Sequence, residues 1–329
     1  MEIRIEQYQD CMEEKWDKFI ERDSCNGTFL QSRKFLNYHE NGKFEDCSLL
    51  IYKGSSTILA LIPAHVLYED DKKVFASHMG STFGGIVFHR QFYNISHVAE
   101  VMEVLESYLK EQGFDKLILK QTSQIFSDKS NDLFEYFFFQ RNYQYYAEIS
   151  FVIDLTNYNE DIVSNFTLSR RRGYRHALKN ELCFRRLEKS EEIREFYAVL
   201  ADNLQKFGTK PVHTFEELED LRENRLNGIV DFYGVYKAEK MIAASMVFRF
   251  GQEVFHTQYL AALQDELDVF PNNYMDTQLI MLAKQENYHY FSFGISTEEH
   301  GRVLNTHLAE FKEGFGSGYC NNKVFYKEL

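Results

Sequence analysis

Proline occurs three times in 329 residues, so Pro-rich linkers and collagen-like segments are excluded. The five cysteines (Cys11, Cys25, Cys47, Cys183, Cys320) are scattered, odd in number and form no CxxC. That pattern fits free thiols in a reducing cytosol and excludes a disulfide framework or a zinc site. No run approaches the roughly 18 apolar residues of a membrane span. The opening Met1-Glu2-Ile3-Arg4-Ile5-Glu6 has no basic segment followed by an apolar one, so no signal peptide is expected and the chain is read as cytoplasmic. Positive charge is also short: 37 Lys and Arg stand against 50 Asp and Glu, a net charge of −13. An acidic surface repels phosphate backbones, which excludes a broad nucleic-acid footprint but leaves room for one phosphate group at a local basic patch. GxSxG, HExxH, GxxxxGK and HHxxxDG are absent, and His300 and His307 are too widely spaced for a helical metal pair, so no metal site is expected.

What the chain does have is aromatic and apolar material, 16% and 44% of residues, enough for the cores of about two domains. Apolar spacing predicts helices over 13–22 and 32–39, then strands over 48–52, 58–68 and 74–88. A long amphipathic helix follows over 95–112, stopped by Gly113, then a strand at 116–120, a helix at 132–140 and a strand at 147–155. The second half repeats the order. Helices fall at 161–179 and 191–207 around a strand at 183–187, with a further helix at 215–224. Strands then fall at 229–236, 241–250 and 253–260, a helix at 273–285, a strand at 290–294, a helix at 305–315 and a last strand at 323–326. Three consecutive strands with short connections pair as an antiparallel meander, and the helix after them carries the chain to a strand beside it. Each half is thus an α/β unit, an α+β mixed sheet with helices on its faces. The boundary is expected near Asn157–Asp161, giving domains 1–157 and 158–329.

Several segments carry a family likeness. Gly27-Thr28-Phe29-Leu30-Gln31-Ser32 with Phe35, the basic Ser169–Lys179, Phe270-Pro271-Asn272-Asn273-Tyr274, Phe291-Ser292-Phe293-Gly294-Ile295-Ser296 and Phe311-Lys312-Glu313-Gly314-Phe315-Gly316 occur in this order. The ordered set resembles the GNAT acyltransferase fold present twice in tandem. That is the arrangement of the Fem-type aminoacyltransferases and of their relatives in bacterial surface-polysaccharide synthesis. The resemblance implies an acyltransferase. It would move an acetyl or aminoacyl group from acetyl-CoA or another acyl-CoA, or from aminoacyl-tRNA, to an amine or hydroxyl of a sugar-linked acceptor in cell-surface polysaccharide or peptidoglycan synthesis. The acceptor would be a sugar nucleotide or a lipid-linked sugar. The net charge favours acyl-CoA over tRNA. A non-catalytic tandem-GNAT binding protein and a small-molecule N-acetyltransferase are the alternative readings. There are two departures. His39 stands where Fem enzymes carry a lysine for the acceptor's phosphate, and the Q/R-x-x-G-x-G/A phosphate loop is missing before Asn273.

Candidate residues follow. Between Leu168 and Arg186 stand seven basic residues and one acidic residue, a concentration suited to a phosphorylated ligand. Arg171, Arg172 and Arg175, with Gln31 and His39, are the expected acceptor contacts. Leu304, Leu308, Phe311 and Phe315 are spaced as a core stripe, with Lys312 beside it. By resemblance Lys312 points at the transferred group, where its ammonium would stabilise the developing oxyanion. On the strand at 253–260, His256, Gln258 and Leu260 alternate onto one face, and Phe255, Thr257 and Tyr259 onto the other. By resemblance this strand splays from the strand at 290–294 and offers a backbone amide to the acyl carbonyl. Tyr259 as proton donor and His256 as base are both chemically suitable. Leu260, Asn272, Asn273, Gly294, Ser296 and Phe311 are expected to hold the donor. The first domain, which has no match to Lys312, is expected to be a degenerate copy that shapes the acceptor site. The second is expected to be catalytic.

Overall fold

The computed structural model describes residues 3–38, 42–206 and 208–329. It divides into two compact units, one of residues 1–148 with 321–329 and one of residues 149–320.

The first unit opens with β1 (Ile3–Gln7), α1 (Glu13–Lys18) and α2 (Arg33–Leu36). It continues through β2 (Glu45–Asp46), β3 (Leu49–Lys53), β4 (Thr57–Ile62), β5 (His65–Glu69), β6 (Lys72–Ser77) and β7 (Val87–Phe88). It goes on with α3 (Ile95–Glu111), β8 (Lys116–Lys120), α4 (Asp132–Gln140) and the start of β9 (Gln144–Asp154). The expected three-strand meander is not what forms. The run 58–68 breaks at Pro63, which has no N–H to give a ladder. Its halves join different sheets: β4 pairs β3, and β5 pairs β6. The run 74–88 breaks likewise after Ser77 across Gly80, Gly84 and Gly85, so that β6 and β7 also part company. α3 buries Val98, Val101, Met102, Leu105 and Leu109, an i, i+3, i+4 stripe, against the β-strands and the Phe134, Phe137 and Phe138 face of α4.

The second unit comprises α5 (Leu168–Ala177), β10 (Cys183–Leu187), α6 (Ser190–Gln205), α7 (Phe215–Asp220), β11 (Val230–Lys237), β12 (Lys240–Phe250) and β13 (Val254–Ala262). α8 (Pro271–Gln285), β14 (Tyr290–Ile295), β15 (Thr297–Glu298), β16 (Val303–Leu304) and α9 (Thr306–Glu313) complete it. Here the meander forms as expected: β10 to β13 are antiparallel neighbours, and β14 joins parallel to β13. α8 lays Met275, Leu279, Ile280 and Ala283 on Tyr233, Val235, Ala243, Val247 and Phe255 of the sheet.

The outer strands depart from the sequence expectation that each half closes its own sheet. Ser150–Asp154 of β9 pair with β14 in the second unit. Val324–Glu328 of the C-terminal strand (Gly318–Glu328) pair antiparallel with β8 in the first. The compact units therefore part at 148/149 and 320/321, where the sequence suggested a single boundary at 157/158. Pairings over that separation leave no local trace in the sequence.

Candidate active site

The second unit's parallel pair is its distinctive feature. β13 and β14 pair only over Val254–His256 and Tyr290–Ser292. Beyond that point β13 stays with β12 to Ala262, while β14 stays with β9 to Ile295. The two strands thus open like a V, with Thr257–Ala262 on one arm and Phe293–Ile295 on the other. A bulge falls on each arm, between Met246 and Val247 opposite Gln258, and between Ser292 and Gly294.

The first bulge corrects the expected faces. Tyr259 lies opposite Met246 and His256 opposite Phe248, so Tyr259 and His256 share a face and the strict alternation fails at Gln258. The Nδ1 of His256 lies 3.0 Å from Ser292 Oγ. Gly294, at a φ of +71°, passes so near His256 that a Cβ there would sit 3.3 Å from Cε1. Tyr259 OH is hydrogen-bonded to His213 Nδ1 at 2.7 Å, and burial raises the phenol above its usual range. Burial first, and the Lys312 charge second, push His256 down to about 4, against the hydrogen bond it gives Gln258. His256 is thus neutral at pH 7, the form that accepts a proton.

Lys312 stands against the β14 arm of the V. The expected stripe on α9 is rotated: Leu304 and Leu308 are 48% and 38% exposed, whereas Ala309, Lys312 and Phe315 are buried. The side chain is only 6% exposed, and its Nζ donates to the carbonyls of Gly294 (3.2 Å) and Ile295 (2.6 Å). Burial lowers its ammonium to about 8, opposed by Asp276. Asp276, fully buried on α8, is pushed up to about 8 by burial, against Lys312 and Arg170. Arg170 lies over the Phe311 ring at 4.6 Å and donates to Asn273 Oδ1 at 3.1 Å. Gly173 lets α5 come this close to α8, since a Cβ there would meet Asn273 Nδ2 at 2.5 Å.

The first unit has its own parallel pair, β6 with β8, but no such opening. Gly84 N–H donates to Lys120 O at 2.9 Å, Gly85 N–H to Ser77 Oγ at 2.8 Å and Ile86 N–H to Gln121 Oε1 at 3.1 Å. The chain itself fills the space beyond Ser77.

Residues 165–302 match the acetyltransferase (GNAT) domain family. No curated protein sequence matches the chain. Among solved structures, FemX superposes with a TM-score of 0.70 at 11% identity, covering 100% of this chain and 98% of that one. The chain has the tandem GNAT fold that FemX also has. L-PGS from Bacillus licheniformis (TM-score 0.61, 13% identity, 95% of this chain and 91% of that one) is also similar to it. So is a tandem GNAT protein from the clavulanic acid biosynthesis pathway (0.55, 7%, 99% and 98%). Its matched domain is a GNAT-type acyltransferase domain, and the V and the Lys312 anchor lie in the unit that carries it.

The chain brings His256, Gly294 and Lys312 together, while Asn273 and Phe311 meet at Arg170. Leu260 lies on the far arm of the V, partly buried. Asn272 Oδ1 and Ser296 Oγ are buried with no hydrogen-bond partner among the described residues. The basic cluster disperses. Arg171 donates to the Phe166 and Ser164 carbonyls at 2.7 and 3.0 Å, holding the turn before α5. Arg186 pairs with Asp231, and Arg185 lies over Tyr236. Arg172 and Arg175 remain exposed on α5 with Lys179. Gln31 is fully buried, with its amide given to Gly84 O and Thr122 Oγ1 and its carbonyl accepting from Thr28 N. His39 lies outside the described residues. Sequence reasoning missed Asp276 and His213. Asp276 had a signal, an acid on the buried Asn273, Thr277, Ile280, Ala283 stripe of α8, whereas His213 in its loop had none. Among the described residues no cluster of three or more His, Cys, Asp or Glu is placed to hold a metal ion.

The neutral His256 has a thermodynamic consequence. Its folded pKa, about 4, lies below the ordinary 6.5, so between those values the unfolded chain binds more protons. Its contribution to stability is full above pH 6.5 and is lost as the pH falls through about 4. Thermal unfolding should therefore show a larger drop from pH 7 to pH 4.5 in the wild type than in His256→Gln. Equal drops would contradict the assignment.

Proposed function

We propose that this chain transfers an acyl group from a thioester or ester donor, lying in the V between β13 and β14, to an amine or hydroxyl of a sugar-linked acceptor. The open V with a buried ammonium on its β14 arm carries the reading. A backbone amide on the bulged arm of β13 would polarise the acyl carbonyl, and Lys312 would meet the oxyanion that develops there. His256, neutral and beside the fork, would take the proton from the attacking group. Tyr259, tied to His213, would give one to the leaving group. Holding both partners in line supplies much of the rate. Leu260, Asn272, Asn273, Gly294, Ser296 and Phe311 would hold the donor.

The acceptor is proposed to be a sugar nucleotide or a lipid-linked sugar in cell-surface polysaccharide or peptidoglycan synthesis, met in the cytoplasm. The likeness to FemX and L-PGS supports this class. No described helix is long and apolar enough to cross a membrane. Arg172 and Arg175 are the exposed cations proposed for acceptor phosphate, while Arg171 and Gln31 would act by holding the backbone around them. The first unit is proposed to be the degenerate copy, a reading supported by the Gly84–Ile86 segment that fills its opening. An acyl-CoA is the proposed donor, because a net charge of −13 disfavours the wide surface of tRNA.

Calorimetric titration with coenzyme A and acetyl-CoA tests the donor. A micromolar dissociation constant, about −8 kcal/mol, is expected. No binding would overturn the acyl-CoA assignment, and aminoacyl-tRNA would be the donor to titrate next.

A further inference from the structure

The outer face of α5 and of the 3-10 turn after it (Leu178–Asn180) is basic and unpaired. Leu168, Arg172, Arg175 and Lys179 recur at intervals of four, three and four, so they form one outward ridge, opposite the buried Gly173, Tyr174 and Ala177. Arg185 and Arg186 pair with Glu192 and Asp231, but Arg172, Arg175 and Lys179 enter no ion pair among the described residues. Arg171, bound to neutral carbonyls, keeps its charge as well. Acids close by are already occupied. On the turn Gln264–Val269, which packs against α5, Asp265 pairs with Lys240, and Glu266 with Lys237 and Lys240. Glu181, two residues past Lys179, and Asp268 of that turn are the exposed acids set against the ridge.

Apolar side chains flank these cations and face solvent. Leu168 and Leu178, toward the two ends of the helix, are each more than half exposed. Phe270 is 42% exposed. Its ring lies 5.3 Å from that of His176 and over Gly173, where a Cβ would come within 3.0 Å of Cδ1. The Phe270 backbone has a φ of +56°, a left-handed conformation unfavourable to a bulky side chain. The fold thus holds an aromatic ring outward beside the basic ridge, against local preference.

We propose that this surface docks the protein on an anionic phospholipid bilayer. Arg172, Arg175 and Lys179 meet the lipid phosphates, and Leu168, Leu178 and Phe270 enter the headgroup boundary. The proposal rests on the reading of Arg172 and Arg175 as acceptor-phosphate cations, and it selects the lipid-linked acceptor over the sugar nucleotide. The chain's net charge of −13 does not oppose it, because charges farther than about 8 Å from the bilayer are screened at physiological salt. A nucleic acid would use the cations but gain nothing from exposed leucines. Arg172 to Lys179 also spans only about 10 Å, short of the footprint of tRNA.

The test is co-sedimentation of the full-length protein with vesicles of phosphatidylglycerol and phosphatidylcholine, compared with phosphatidylcholine alone. Binding is expected to the anionic vesicles only, and should weaken as salt is raised. Arg172→Gln, Arg175→Gln and Lys179→Gln together should weaken it about 100-fold, since each cation at such a surface contributes about fivefold. Leu168→Ser with Leu178→Ser should weaken it about tenfold, an effect that a soluble phosphate ligand would not produce. No binding to anionic vesicles, or binding that survives either set of substitutions, would overturn the proposal. So would tRNA or UDP-N-acetylglucosamine held by the ridge while vesicles are ignored. Should one variant not fold, the other variant and the salt series on the wild type decide. Vesicle binding needs no acyl donor, so failure of every donor would leave it standing. Its absence would leave acyl transfer to a nucleotide-linked acceptor standing, and the two readings fail separately.

Discussion

Lys312→Ala should lower kcat by about 100- to 1,000-fold, with the donor dissociation constant changed far less. The ammonium is oriented by two backbone carbonyls and, in the proposed reaction, would meet charge that develops only in the transition state. It therefore contributes little to holding the donor's ground state and much to its transition state. Lys312→Arg should rescue weakly, because the larger guanidinium cannot occupy a side-chain slot only 6% exposed. Turnover of Lys312→Ala within threefold of the wild type would end the catalytic assignment. The alkaline limb of the rate profile should report the same group. Activity should decline as the pH rises through about 8, where Lys312 loses its proton.

The second large effect concerns stability. Arg249 links β12 to β11 and to the turn between α8 and β14. It pairs with Asp231 and Glu286, and donates to Tyr288 OH at 3.0 Å and Tyr233 OH at 3.1 Å. Asp231 is only 2% exposed and would lose the partner that holds it most closely. Arg249→Met should cost about 1–3 kcal/mol in the second unit, because it leaves the buried Asp231 carboxylate with only the half-exposed Arg186 as a charged partner. Adding Asp231→Asn should recover part of that loss, since the under-compensated buried charge adds to the penalty of the missing bridge. Urea unfolding measures both. A loss below 1 kcal/mol in the single variant, or no recovery in the double, would contradict the network's role.

Sequence periodicity made the local elements legible where local chemistry decides them. α3, stopped by Gly113, and α4 appear almost at their expected bounds, as does the meander from β11 to β13. The splayed strands and Lys312 came from the family likeness, and the structure places them at one point. What was not legible depends on distant partners or on single-residue slips. The pairings of β9 with β14 and of the C-terminal strand with β8 join segments more than a hundred residues apart, and no local pattern announces them. The bulge at Gln258 inserts one residue, and that is enough to bring Tyr259 onto the His256 face. On α9, apolar spacing alone favoured Leu304 and Leu308. The structure turns Lys312 inward because two strand-end carbonyls await its ammonium. Arg171 illustrates the remaining difficulty: a guanidinium in a basic run is as ready to bind backbone carbonyls as phosphate, and only the fold chooses.

The central claim, that the acyl donor lies in the opening between β13 and β14, is tested most directly by amide hydrogen exchange. Full-length protein would be measured alone, with acetyl-CoA and with aminoacyl-tRNA. Slowed exchange is expected with the true donor in peptides covering 257–262 and 290–297, with peptides of β6 and β8 unchanged. A donor that is bound but protects the first unit alone, leaving 257–262 and 290–297 unaltered, would contradict the account.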